Sequence, residues 1–105
     1  MSDELRLTLM EVSSLLRECR YDENAQWYEQ AIHQLFDAPG SKKECLRILK
    51  QVEDRIAGMG SFSDMPLDPV ARELTELEVR ELQMDLCAKM SAGVRAMRRD
   101  LRGKD

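Results

Sequence analysis

Histidine is almost missing from this chain: His33 is the only one in 105 residues. Acyl-transfer chemistry wants a Ser, Cys or Thr with a base in reach, usually His, and a carboxylate-bridged di-metal bundle wants Glu-x-x-His on two helices. Glu29 precedes His33 by four residues rather than three, which reads as an exposed histidine loosely paired with Glu29. Cysteine is scarce as well. Cys19, Cys45 and Cys87 are odd in number, far apart and without a C-x-x-C partner, so neither a disulfide frame nor a zinc site is expected, and free thiols in a reducing cytoplasm are. No apolar run reaches the ~18 to 20 residues of a membrane span, and "MSDELRLTLM" has no apolar stretch of the secretory kind. Aromatics make up 5% of the chain, and none interleaves with Arg95, Arg98, Arg99 and Arg102 as a stacking platform for single-stranded nucleic acid requires. A nucleic acid partner is therefore not expected; cations at the end of a helix satisfy its dipole. The glycines of "GMGS" follow a helical pattern rather than a strand, and no Gly-Lys-Ser/Thr closes them into a phosphate loop. These absences leave no catalytic residue, no metal site and no cofactor, and an enzyme is not expected.

What is present describes a helical domain. Apolar residues form 43% and charged residues 34% of the chain, a globular balance, and the length fits one domain over 1–105. The net charge of −4 is uneven: residues 95–105 carry five basic and two acidic groups. The rest of the chain is strongly acidic, which suits a cationic protein partner through electrostatic steering.

Four helices follow from apolar spacing, near 3–20, 23–37, 42–57 and 69–100. Leu5, Leu9, Val12, Leu16 and Cys19 recur at alternating spacings of four and three, one face of a helix. Asp22 reads as the cap of the second, with Ala25, Tyr28, Ala31, Ile32 and Leu35 inward and Trp27 and Phe36 beside them. Ser41 and Glu44 form a capping box for the third, whose buried stripe is Cys45, Leu46, Ile48, Leu49, Val52 and Ile56, with Gly58 as its left-handed terminator. Asp68 and Pro69 read as cap and first residue of a long fourth helix. That helix has two apolar rows. Val70, Leu74, Leu77 and Met84 form one; Val79, Leu82, Leu86, Met90, Val94, Met97 and Leu101 form the other. The expected fold is all-α, an antiparallel four-helix bundle with a long C-terminal helix. Either Ser91–Gly93 bends that helix back onto the bundle or its far end packs on a second copy; its excess length favours a homodimer, with Leu82, Leu86, Met90, Val94 and Met97 as the seam.

"WYEQAI" (27–32) followed by "GMGSFSD" (58–64) resembles an uncharacterised family of short bacterial helical proteins. Those have a Trp-containing second helix, a Gly-Met-Gly-Ser-Phe/Leu-x-Asp loop and a carboxylate-rich long helix. Members carry a longer insert after the loop, where this chain runs from "MPLDP" into its last helix. The resemblance implies a bacterial, cytoplasmic helical protein of the size common among immunity proteins and small regulators. In the loop itself, Gly58, Gly60, Ser61, Phe62 and Asp64 are turn formers and a hydrophobic plug, with a contact surface as the alternative. Two functions remain. One is a non-catalytic protein-binding module, an immunity-type inhibitor of a cationic toxin domain, with Glu73, Glu76, Glu78, Glu81 and Asp85 as its surface; a solvated acidic face accounts for those five better than a divalent-ion site. The other is a homodimeric structural or regulatory protein.

Overall fold

A computed structural model describes residues 4–56, 61–68 and 72–103. Four α-helices follow in order: α1 (Glu4–Glu18), α2 (Asp22–Ile32), α3 (Lys42–Asp54) and α4 (Glu76–Arg102). Among the described residues there is no strand. At ~1.5 Å per residue α4 runs for ~40 Å, most of the 46 Å long dimension of the molecule.

Helices α1 to α3 bury most of the stripe that their spacing predicts, with Cys19 and Leu46 only half-buried, and α4 buries the row expected as a dimer seam. Leu9, Val12 and Leu16 of α1, Ala25 and Tyr28 of α2, Leu49 and Val52 of α3, and Leu86, Met90 and Val94 of α4 meet in one core. The two buried hydroxyls of α1 stay satisfied by turning back on their own helix: Thr8 donates to the Glu4 carbonyl and Ser13 to that of Met10. Helix α1 packs against both α2 and α4, and α3 packs against α4. Leu5, at the start of α1, sits on Gly93 near the end of α4, while Glu18 at its other end holds Arg72 ahead of α4 at 2.7 Å. A Cβ on Gly93 would stand 2.9 Å from the Leu5 Cβ and 3.2 Å from its Cα. Glycine here is the condition for the two helices to touch backbone to backbone, and α4 stays continuous through it.

The helix ends depart from the sequence reading in instructive ways. Helix α1 closes with Arg20 in the left-handed conformation at φ 67°. Tyr21 N–H donates to the Leu16 carbonyl and Arg20 N–H to that of Arg17, the paired bonds of a Schellman cap with arginine where glycine is usual. Asp22 is the first residue of α2 rather than its cap; Tyr21 holds the cap position with no side-chain bond. The second helix does not run regularly to 37: after Ile32 it widens into a π-turn, His33–Asp37, in which Ala38 N–H reaches the His33 carbonyl. Ser41 caps α3 by accepting from the Glu44 N–H, one half of the expected box. The fourth helix begins at Glu76, seven residues later than the Asp68–Pro69 signal predicts. Thr75 accepts from the Glu78 N–H while Glu78 accepts from the Thr75 N–H, so a reciprocal box satisfies two donors there at once. Gly58, Gly60, Pro69 and Val70 lie outside the described residues.

His33 faces Asp37, at 3.9 Å, and not Glu29. Glu29 is taken by Arg17, which grips both its oxygens at 2.6 and 2.8 Å and ties α1 to α2. The Arg55 guanidinium lies 4.0 Å over the Trp27 ring, and Trp27 meets Tyr28 edge to face. Cys45 and Cys87 are buried and Cys19 half-buried, all as free thiols. Among the described residues no helix is long and apolar enough to cross a membrane.

Candidate functional site

The expected dimer seam is spent inside the chain. Leu86, Met90 and Val94 are fully buried and Met97 nearly so, against α1 and α3, with Leu82 half-buried at the edge of the same core. This row is the one that makes α4 part of the fold, so it is not free to meet a second copy. The other row is the exposed one. Among the described residues of that row, Leu77 is 68% and Met84 55% exposed, and Leu74, ahead of the helix, is 37% exposed.

Glu73, Glu76, Glu78, Glu81 and Asp85 surround these side chains, and all five are exposed. They do not converge: among the described residues no three His, Cys, Asp or Glu side chains lie together as a metal ion would need. Glu78 is committed to its capping box and Asp85 to Lys89 at 3.0 Å. Hydrogen bonds from Thr75 hold the Glu78 carboxyl below the usual carboxylate range. The box is therefore complete above that range and loosens as pH falls through the lowered value.

At ~100° per residue, Leu77, Glu81, Met84 and Ala88 fall on one line of α4, facing away from the core. The same line continues through Ala92, Arg95, Arg99 and Arg102, and every residue on it is exposed. The outer face thus changes along its length: apolar and acidic first, small in the middle, basic at the end. A shallow open groove of about 570 Å³ runs beside the basic end, lined by Ala92, Arg95, Arg98, Arg99 and Arg102. Arg98 leans inward to Glu53 at 3.1 Å. Arg95, Arg99 and Arg102 have no ion-pair partner among the described residues. A second groove of about 450 Å³, between α1 and α4, brings the exposed Leu7 to the edge of this face beside Lys89 and Ala92.

The connection after α3 is built inward. Phe62 is 2% exposed and Ser61 is buried with it. The Phe62 N–H donates to the Arg55 carbonyl at 2.8 Å, and Ser63 N–H to that of Ile56. Gln83 of α4 then donates to the carbonyls of both Phe62 and Met65, at 2.6 and 2.9 Å, and the Tyr21 hydroxyl to that of Pro66. Asp64 stays exposed in the short 3₁₀ turn Phe62–Asp64. Gln83 is the residue that sequence reasoning passed over. Its signal was available: it stands four after Val79 and three before Leu86, a polar side chain on the buried spacing. Buried amides need partners, and a glutamine there announces backbone groups to bind.

Compared with known proteins, the chain matches no family model, no curated protein and no solved structure.

Proposed function

We propose that this protein is a non-catalytic protein-binding module, a cytoplasmic antiparallel four-helix bundle that presents the outer face of α4 to a partner. The observation that carries the reading is the exposure of Leu77 and Met84. They lie two turns apart on one helix line, ~10 Å from one to the other at ~1.5 Å per residue. Large apolar side chains left uncovered in a row mark interfaces when they cluster with a polar rim. Here the rim is carboxylate, so the fitting partner is an amphipathic element with basic flanks. Acidic surroundings speed its approach, and the apolar pair holds it. An immunity-type inhibitor of a cationic toxin domain meets that description, in keeping with the resemblance of the 27–32 helix and 58–64 loop to short bacterial helical proteins.

Calorimetry against the product of the adjoining reading frame tests this. Binding is expected, weakened at least about tenfold by Leu77→Asp combined with Met84→Asp, with the thermal melt of the variant unchanged. Binding indifferent to that double substitution overturns the assignment of the surface.

A further inference from the structure

We infer that the outer face of α4 also recognises itself, two copies pairing antiparallel along this helix. The inference rests on the reading of that face as a protein-binding surface and names one partner for it, a second copy of this chain. Charge complementarity within the single exposed line carries the argument. Its first half offers Leu77, Glu81 and Met84, and its second half offers Arg95, Arg99 and Arg102.

Glu81 and Arg99 stand 18 residues apart, five full turns at ~3.6 residues each, so both point in one direction from the helix axis. A two-fold axis across an antiparallel pair keeps each side chain on its own flank. When Ala88 of one copy lies against Ala92 of the other, Glu81 of each copy therefore comes opposite Arg99 of its mate. Leu77 lies along the alkyl stem of the mate's Arg102 in the same way, and Met84 along that of Arg95. Long cationic side chains cover apolar surface while keeping their charge in water. The alanines at the crossing permit a helix separation at the short end of the usual ~8 to 10 Å. A parallel pair would instead set Glu81 on Glu81 and Arg99 on Arg99, so like charges select the antiparallel arrangement. The contact is isologous, each half of the line meeting the other half, and it closes at two copies.

A strip ~40 Å long and one helix wide, ~10 Å, covers on the order of 400 Å² per copy. That is below the ~800 Å² per partner of a standard stable interface. The dimer is thus a weak one that salt opposes.

Sedimentation equilibrium from ~10 to ~500 µM at low salt is the test, a range chosen for a weak complex. The wild-type protein is expected to dimerise, and about tenfold less tightly in either Glu81→Arg or Arg99→Glu. Mixing those two variants should restore pairing, because each supplies the charge that the other lacks, and Glu81→Arg with Arg99→Glu in one chain should restore the homodimer. Both sites are exposed, so unchanged melts confirm that the fold is intact. A wild-type monomer across the range, or charge reversals that fail to rescue one another, overturns the inference. If that happens while Leu77→Asp with Met84→Asp still abolishes binding of a foreign partner, self-recognition fails and the protein-binding reading stands.

Discussion

The 61–68 connection and the outer face of α4 both set large apolar side chains among polar ones, and they come out opposite. Phe62 ends in the core, while Leu77 and Met84 end in water. The difference lies in what the backbone around them requires. Residues 61–65 make only one 3₁₀ turn of their own, so the Phe62 and Ser63 amides go to Arg55 and Ile56, the Phe62 and Met65 carbonyls go to Gln83, and the Phe62 side chain is drawn in with them. Helix α4 satisfies its own backbone, and Val79, Leu86, Met90 and Val94 already fill its share of the core. Nothing among the described residues is left to cover its far side. An apolar residue in an irregular segment goes where hydrogen bonds take it; on a helix whose inner stripe is complete, a further apolar row faces outward.

The largest expected effect sharpens this contrast. Phe62→Ala should cost about 3 to 5 kcal/mol in denaturant melts, since it loses transfer energy and leaves a cavity. Leu77→Ala, on the water side, should stay within about 0.5 kcal/mol of wild type. Equal costs at the two positions would dissolve the comparison. Next comes the tie between the two regions. Gln83→Leu keeps the bulk and strips the donor from two backbone carbonyls, for about 1 to 3 kcal/mol, and amide exchange should rise in residues 61–65. A neutral result would show that those carbonyls do not depend on α4. The smallest effect belongs to the start of the exposed face: Thr75→Ala removes a cap worth about 1 kcal/mol. It should speed amide exchange in the first turn of α4 while leaving the Phe62 region protected.

Much of the architecture was legible because burial on a helix repeats every three or four residues. The α1 and α3 stripes and the Ser41 cap follow from spacing and local chemistry, whereas the unbroken passage of α4 through Gly93 does not, because glycine weakens a helix without breaking it. The start of α4 was not. Asp68–Pro69 and Thr75–Glu78 are both good starting signals, and local sequence does not say which one tertiary contacts will favour. The π-turn at His33–Asp37 leaves no composition mark, because it exchanges one hydrogen-bond span for another within an apolar pattern. On the surface, five carboxylates dominate the sequence by number, whereas the feature that stands out in the structure is the apolar pair among them. Two rows on one helix were visible in the sequence; which of them the other helices would claim depends on packing. The row that spacing marks as a seam is the one that α1 and α3 bury.

The contact at Gly93 has a bearing on how any partner could be felt through this molecule. Helical sensors often report by sliding one helix past another by a turn, about 5.4 Å. Here such a step would carry Leu5 from the bare backbone of Gly93 onto the side chain of Lys89 or Met97. The glycine works as a detent with a single notch, setting α1 and α4 in one register. A protein latched in this way transmits nothing by gliding; its message is occupancy alone, which surface is covered and which is left open.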